Sequence, residues 1–213
     1  AENALITAVS GEDGTFLFEN VPYGNWLIKE LQPADGYLSN DEIYPVRISE
    51  NGQTVGITVV NDRTPEIGTK ATVNGEKTAT AEGDITIEDT VSYKHLIPGK
   101  AYTIKGILMD MATGKAFLVD GKELTSEVTF TPEESCGEVT VRFTFCGSKI
   151  TKQTDLVVFE TLYRDGVELA AHADIEDGGQ TVTLIPPKPD IPQTGDNSNL
   201  GFWIGLGSVA LGG

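Results

Sequence analysis

Short alternating runs of β-branched and aromatic residues recur along the chain, and this feature most limits its fold. Val, Ile, Thr, Phe and Tyr dominate the runs, and Gly, Asn, Asp and Pro separate them. Alternation with a period of two is typical of half-buried strands, and no useful length of sequence shows a helical period. We therefore predict an all-β protein, with strands at GTFLFENV, NWLIKEL, YPVRIS, VGITVVN, DITIEDTVSY, KAYTIKGILMD, SEVTFTP, GEVTVRFTF, TDLVVFETLY and QTVTLI.

The strands group into two sandwich-like units that meet near residues 61–69. The sequences EDG, ENG and RDG indicate tight turns. The chain opens inside a strand-and-turn pattern without a signal peptide, so we expect further sequence upstream. We place the first unit at residues 1–63 and the second at residues 64–185.

The C-terminal region differs in composition from the two units. PPKPDIP is rich in proline and predicts a stiff, extended linker within residues 186–195. A polar gap and an apolar, uncharged stretch follow within residues 196–213. The stretch is shorter than the roughly 20 residues that span a bilayer. We interpret it as part of a transmembrane segment that continues beyond the sequence; the alternative is a buried terminal segment.

The chain is acidic, with 32 Asp and Glu residues against 15 Lys and Arg residues and a formal net charge of −17. Nucleic-acid binding needs clustered Lys and Arg, so we expect no nucleic-acid partner. The same charge disfavours binding to anionic membrane surfaces. The simplest role of the acidity is to keep a surface protein soluble.

The two cysteines, Cys136 and Cys146, flank GEVTVRFTF, which alternates like one strand. Ten residues of strand span roughly 33 Å, whereas a disulfide needs Cα atoms within about 7 Å of each other. We therefore expect both cysteines to be unpaired. Their spacing does not match a metal site either.

His172 stands in the segment AHADIEDGGQTVTL, beside several carboxylates. Such a group suits acid–base chemistry, but a surface histidine in an acidic loop gives the same pattern. We interpret Asp174, Glu176 and Asp177 as loop carboxylates, because the spacing of a calcium loop is absent. His95 is expected to be exposed. The sequence contains no G-x-S-x-G elbow and no zinc constellation, so we expect no metal and no cofactor.

The segment IPQTG, between the linker and the polar gap, resembles the LPxTG sorting signal of Gram-positive surface proteins. This resemblance implies an extracellular, cell-wall-anchored protein that the membrane holds before sorting. A sortase would cleave after Thr194 and join its carboxyl group to an amine of peptidoglycan or of another pilin subunit. The motif consists of Ile191, Pro192, Gln193, Thr194 and Gly195.

Residues 1–63 resemble the later part of a SpaA-type (CnaB, prealbumin-like) pilin domain, through GTFLFENVPYGNWLIKELQPADGY and ITVVND. Such domains often carry an isopeptide bond between a lysine on the first strand and an asparagine on the last. The resemblance implies that Asn61 is this asparagine and Glu30 the acid that promotes the bond. The lysine would lie before residue 1, because Lys29 and Lys70 are poorly placed.

Residues 64–185 resemble the VaFE-repeat domain, also called the Thr–Gln ester-bond domain. The matching motifs occur in order: IGTKAT, IEDTVSYKHLIPGKAYTIKGILMDMATGK, EVTFTP, VVFETLY and HADIEDGGQTV. Together the two family resemblances imply two Ig-like or prealbumin-like β-sandwich domains in tandem.

In ester-bond relatives, a threonine on the first strand joins a glutamine on the last. The resemblance implies that Thr69 and Gln180 form this crosslink, with His172, Glu160 and Asp89 as promoting residues. A hydroxyl is a weak nucleophile and needs a base, for which histidine is the usual choice. Two carboxyl groups close together can share one proton, so that one of them donates it.

Thr72 is the alternative nucleophile. It lies three residues after Thr69, so in a regular strand it faces the opposite side.

Three functions remain open from the sequence. The first is the structural stalk of a sortase-anchored adhesin or pilin, stabilised by internal ester and isopeptide bonds and not an enzyme. The second is a module that binds a host surface ligand, most readily through domains upstream of this sequence. The third is a hydrolase that uses His172, Glu160 and Asp89 on an external ester or amide.

Overall fold

The computed structural model describes residues 4–188. These residues form strands and one short 3-10 helix at Gly147–Lys149, so the all-β prediction is confirmed. In this part of the chain no helix is long and apolar enough to span a membrane. The predicted sorting motif at 191–195 and the predicted transmembrane segment lie outside the described residues.

Residues 4–188 contain fourteen strands. In chain order they are β1 (Gly24–Lys29), β2 (Ile43–Ile48), β3 (Glu66–Val73), β4 (Thr78–Thr80), β5 (Asp84–Lys94), β6 (Tyr102–Asp110), β7 (Lys115–Ala116), β8 (Leu118–Val119), β9 (Lys122–Glu123), β10 (Thr125–Phe130), β11 (Gly137–Cys146), β12 (Thr154–Arg164), β13 (Val167–His172) and β14 (Thr181–Ile185).

Residues 4–63 contain one antiparallel pair, β1 with β2. The strands predicted at GTFLFENV and VGITVVN are not formed, so these two predictions are wrong. A strand needs a neighbour for its backbone N–H and C=O groups, and no strand of the described residues pairs with either segment. Their apolar side chains include Leu17, which is 66% exposed, and Val60, which is 74% exposed. Alternation alone therefore did not suffice to form strands here.

Residues 64–188 fold into two facing sheets. One sheet has the order β11-β5-β3. The other has the order β10-β6-β12-β14-β4, with β13 also paired to β12 and β7 to β6; β8 and β9 form a separate small pair. All pairings are antiparallel except that of β14 with β4. The first and last long strands, β3 and β14, thus lie in opposite sheets.

Apolar side chains from both sheets form one core between them. Strand β5 alternates between buried and less buried positions over most of its length, as its sequence predicts. Ile87 and Val91 are fully buried on its inner face, and Phe143 and Leu108 pack from other strands into the same cluster. Full burial of each large apolar side chain contributes about 1.5–3 kcal/mol relative to exposure. Asp89 also occupies an inner position, between Ile87 and Val91.

Two strands share one edge of β12, and this arrangement positions the candidate site. Strand β14 pairs with the first part of β12, from Thr154 to Val157, and β13 pairs with the part from Glu160 onward. Between them, the Val158 N–H donates to the carbonyl oxygen of Gln180 at 3.1 Å. The end of β13 and the start of β14 therefore meet beside the middle of β12.

Two local predictions are confirmed. The RDG sequence forms the tight turn between β12 and β13, where Asp165 and Gly166 both have positive φ angles of 52° and 80°. Cys136 directly precedes the single strand β11 and Cys146 ends it, and both cysteines are exposed and free.

Candidate crosslink site

The candidate site lies between the two sheets, where three polar side chains are completely buried. Within residues 4–188 these fully buried polar residues are Asp89, Glu160 and Gln180. Asp89 comes from β5 in one sheet and Glu160 from β12 in the other, and their carboxyl groups interact. Gln180 directly precedes β14. Burial of such groups is costly without partners, so their convergence needs a chemical explanation.

Thr69 faces this interior from β3. It lies on the same side of the strand as Ala71 and Val73, which are fully buried. Its hydroxyl oxygen is buried without a regular hydrogen bond, and it interacts with the Asp89 carboxyl group. Thr72 lies on the other side of β3, where its hydroxyl is 3.5 Å from the Glu88 carbonyl oxygen. Of the two candidate nucleophiles, Thr69 is thus the one that faces the carboxyl groups.

Glu160 fits its position because the residue opposite it is a glycine. Gly106 on β6 pairs with Glu160 in the sheet. A Cβ atom on Gly106 would lie 2.8 Å from Glu160 Oε1 and 2.6 Å from Phe143 Cζ. The missing side chain therefore leaves the space that the Glu160 carboxyl group occupies.

His172 ends β13 directly opposite Glu160. Its Nε2 lies 3.1 Å from Asp177 Oδ2, and its Nδ1 is buried without a partner. Its backbone carbonyl accepts a hydrogen bond from Gln180 Nε2 at 3.2 Å. The side chain of His172 is 29% exposed, so it lies at the edge of the buried cluster rather than in an open loop.

Asp177 is a member of the site that the sequence analysis did not assign to it. Besides contacting His172, its Oδ1 accepts the Gly179 N–H at 2.7 Å, and its backbone carbonyl accepts the Gln180 N–H at 3.1 Å. It lies in the loop between β13 and β14, as predicted for a loop carboxylate, and there it contacts both His172 and the Gln180 N–H. The sequence signal that could have assigned Asp177 to the site was its position three residues before Gln180. By contrast, Asp174 only caps the turn, through the Glu176 N–H at 3.0 Å.

His95 lies away from this cluster. It is half-buried, and its Nδ1 lies 3.2 Å from the Thr64 carbonyl oxygen, so the prediction of an exposed side chain is wrong. A positive φ of 62° at the end of β5 turns the chain there and brings the ring against the segment before β3.

Buried polar atoms without partners concentrate in this site. Eight such side-chain atoms occur within residues 4–188, and seven of them belong to the predicted crosslink residues. Native proteins leave few buried polar atoms unpaired, so a cluster indicates a functional site. The seven atoms are Thr69 Oγ1, Asp89 Oδ1 and Oδ2, Glu160 Oε1 and Oε2, His172 Nδ1 and Gln180 Oε1.

Burial sets the protonation of the carboxyl pair. It raises the pKa of Glu160 to about 9, and the negative charge of nearby Asp89 acts in the same direction. Burial also raises the pKa of Asp89, while the contact with the Glu160 carboxyl group and the positive charge of Lys77 oppose the rise. At neutral pH Glu160 therefore carries a proton that it can donate.

The eighth unpartnered atom is Asn61 Oδ1, in residues 4–63. Asn61 Nδ2 donates to Glu30 Oε1 at 2.6 Å, so the structure brings these two predicted residues together. Glu30 Oε2 accepts the Asn40 N–H at 3.0 Å. Lys29 instead pairs with Asp41 at 2.9 Å, and Lys70 is exposed on β3.

Within residues 4–188 no group of three or more His, Cys, Asp and Glu side chains is arranged to hold a metal ion.

We predict that the proton on Glu160 makes the unlinked domain less stable as the pH rises. Between the ordinary pKa of 4.5 and the folded-state value of about 9, the unfolded chain releases a proton that the folded chain keeps. The free energy of unfolding should therefore fall with rising pH across this range, by at most about 1.4 kcal/mol per pH unit from Glu160. Denaturant unfolding of the Thr69→Ala chain at several pH values measures the slope.

Glu160→Gln in the same background should flatten this slope, because the amide does not titrate. The matched control is Glu138→Gln, which changes an exposed glutamate on β11 and should leave the slope unchanged. Equal slopes for the Glu160 and Glu138 variants would contradict the assignment of the proton.

Both parts of the chain match known domain families. The sequence profile of the T-Q ester bond containing domain matches residues 65–184, and that of the SpaA prealbumin-like fold domain matches residues 2–63. No protein with a curated description matches the chain.

Among solved structures, the chain resembles a bacterial adhesin from Mobiluncus mulieris described as containing intramolecular disulfide, isopeptide and ester bond cross-links. In both of its crystal forms the identity is 22% and the TM-score 0.52, over 59% of this chain and 58% of the adhesin chain. The chain thus spans a little over half the length of that adhesin, and at this identity the likeness shows the fold alone.

A second similar structure is BcpA, the major pilin subunit of Bacillus cereus, at 13% identity and a TM-score of 0.44, over 84% of this chain and 60% of the pilin. This TM-score is too low to bear on the fold. The profile match at residues 65–184 covers more than half of the 213 residues, and the chain belongs to the family of T-Q ester bond containing domains.

Proposed function

We propose that residues 64–185 form a load-bearing stalk domain of a Gram-positive adhesin or pilin, closed by an ester bond between Thr69 and Gln180. One observation carries this proposal: the hydroxyl and the carboxamide oxygen are buried without partners in the same cluster as a protonated and an ionisable carboxyl group. The cluster joins β3, the first strand of the domain, to β14, the last. The adhesin from Mobiluncus mulieris, which contains ester cross-links, supports the same function.

The reaction balances without any external reactant. His172 takes the proton of the Thr69 hydroxyl, while Asp89 orients that hydroxyl. The oxygen attacks Cδ of Gln180, and the proton of Glu160 stabilises the negative charge that develops on the carboxamide oxygen. The Cδ–Nε2 bond then breaks, and the nitrogen leaves as ammonia with the proton from His172.

The position of the leaving group supports this role for His172. Gln180 Nε2 donates to the His172 carbonyl oxygen at 3.2 Å, so the departing nitrogen lies beside the residue that returns the proton. Asp177 contacts His172 Nε2, which leaves the buried Nδ1 for this proton transfer.

The burial of the site favours one internal reaction over turnover of an external substrate. Asp89 and Glu160 are fully buried, so a substrate in solution cannot reach them. The same burial excludes water and protects the ester from hydrolysis. We infer from this that the domain is structural rather than a hydrolase. Binding of a host ligand through upstream domains stays a prediction.

An ester at this position suits a protein under tension. Pulling on the chain loads its terminal strands first, and the bond would join β3 to β14 directly. It would close a loop of more than a hundred residues. By analogy with a disulfide, the loss of chain entropy in the unfolded state stabilises such a domain by about 4–5 kcal/mol.

We predict that the purified chain weighs one ammonia less than its sequence mass. Intact-mass measurement checks this, and peptide mapping should locate the link between Thr69 and Gln180. Thr69→Ala and Gln180→Ala should each restore the full sequence mass and lower the melting temperature.

Thr72→Ala is the matched control for Thr69→Ala, because it removes a hydroxyl from the opposite side of the same strand. It should keep the mass of the linked chain. A folded wild-type chain at full sequence mass near neutral pH would refute the ester, and a link at Thr72 would instead correct the nucleophile.

We further propose that an isopeptide bond joins Asn61 to a lysine that precedes residues 4–63, with Glu30 as the promoting acid. The support is the hydrogen bond from Asn61 to Glu30 and the unpartnered Asn61 Oδ1. Here the lysine nitrogen would bond to the Asn61 carbonyl carbon, and ammonia would leave.

For this bond, we predict that a chain with further natural sequence upstream of residue 1 loses one additional ammonia. Glu30→Gln should prevent this loss, and Glu50→Gln, at an exposed glutamate, should not. Peptide mapping that finds a free Asn61 in the folded longer chain would rule out the bond.

We also propose that a sortase anchors the protein to the cell wall through Thr194. The support is the resemblance of IPQTG to the LPxTG signal, together with the proline-rich linker before it and the apolar stretch after it. The acceptor is an amine of peptidoglycan or of another pilin subunit.

For sorting, we predict that Thr194→Ala shifts the protein from the cell-wall fraction to the membrane fraction or the medium. Fractionation after muramidase treatment measures this. Thr181→Ala, a threonine in the folded domain, should leave the distribution unchanged. Release of the Thr194 variant with the wall would contradict the proposed anchor.

A further inference from the structure

Lys77 is a half-buried residue that the proposed reaction does not yet use. It directly precedes β4. Its ammonium group donates to the carbonyl oxygen of Ala71 at 2.7 Å and to that of Gly179 at 2.5 Å. Its own carbonyl oxygen accepts the Thr183 N–H at 2.8 Å. Both ends of this residue are therefore attached, so its position relative to β3 and β14 is fixed.

The two carbonyl groups that bind Lys77 flank the two reacting side chains. Ala71 follows Thr69 by two residues on the same face of β3, and Gly179 directly precedes Gln180. The Ala71 N–H also donates to the Gly179 carbonyl oxygen at 3.0 Å. The hydrogen bonds of Lys77 and of the Ala71 N–H therefore join β3 to the Gly179 peptide, beside the site.

We propose that Lys77 is a positioning residue of the ester-forming site, whose ammonium group holds the strand that carries Thr69 against the peptide that precedes Gln180. This role rests on the proposed ester. Reaction between a hydroxyl and a carboxamide depends steeply on their separation and orientation, so a group that fixes the two backbones accelerates the step.

The charge of Lys77 adds an electrostatic effect on the carboxyl pair. Asp89 lies opposite Ala71 in the sheet, and the Ala71 carbonyl oxygen accepts a hydrogen bond from the ammonium group. Burial raises the pKa of Asp89, and its contact with Glu160, the positive charge of Lys77 and its contact with Thr69 oppose that rise. Lys77 therefore favours the state in which Asp89 is ionised and Glu160 holds the proton.

Lys77 keeps this charge in a partly buried place because carboxylates face it. Burial and the charge of Lys70 lower the pKa of the ammonium group, whereas Asp89 and Asp177 oppose that shift. A neutral residue at position 77 would leave Asp89 without its nearby lysine.

Time-resolved ester formation in the full chain tests this role. The chain is made by cell-free synthesis, samples are denatured at intervals, and the linked and unlinked peptides are quantified by mass spectrometry. We expect Lys77→Met to slow linkage by about tenfold to a hundredfold. Because the variant lacks the charge that favours ionised Asp89, the acid limb of its pH–rate profile should move to higher pH.

Two further variants separate charge from packing. Lys94→Met removes an exposed lysine at the end of β5 and should match the wild type in rate and profile. Lys77→Arg keeps the charge but changes the hydrogen-bond geometry, so it should slow linkage while keeping the wild-type acid limb. If Lys77→Met does not fold, Lys77→Gln replaces it as the neutral variant.

An unchanged rate, or a slower rate with an unmoved acid limb in the neutral variant, would overturn the role of Lys77. A shifted limb in Lys77→Arg would overturn it as well. Failure of the ester itself is a distinct result, because the wild-type chain would then keep its full sequence mass.

Discussion

The proximity of two buried carboxyl groups is the constraint on which the rest of this domain depends. Asp89 and Glu160 come from opposite sheets and meet in an otherwise apolar core, where burial opposes ionisation of both. Such an arrangement costs free energy unless a proton is shared or a reaction makes use of it. The core accommodates this pair: Gly106 leaves space opposite Glu160, and the buried apolar residues Ile87 and Val91 stand on either side of Asp89 along β5.

The shared edge of β12 is what brings the residues of the proposed ester to one point between the two ends of the domain. Because β13 and β14 pair with successive parts of one strand, the chain leaves the sheet at His172 and returns to it at Gln180. The proposed base and the proposed electrophile therefore lie side by side, and β3 carries the proposed nucleophile in the facing sheet. A bond at this point would join both sheets and both ends of the domain.

Much of the domain from residue 64 onward could be predicted from its sequence. Its long strands alternate with a period of two. Its motifs also occur in the same order as in one family, and this order named Thr69, Asp89, Glu160, His172 and Gln180 as candidate site residues. Strand periodicity placed Thr69 and Thr72 on opposite sides of one strand, and the structure shows that Thr69 is the one that faces the carboxyl groups. Residues 4–63 were less predictable, since GTFLFENV and VGITVVN alternate like strands but have no pairing strand among the described residues.

The sequence by itself determined the strand pattern, the free cysteines and the types of reactive residue, because these depend on local periodicity and chain length. Only the tertiary structure decided which groups act on one another. Asp177 and Lys77 belong to the site through contacts made by the turn before β14 and by the segment before β4. The protonation of Glu160 likewise arises from burial and from Asp89, 71 residues earlier in the chain. Such long-range contacts leave no periodic signal in a single sequence.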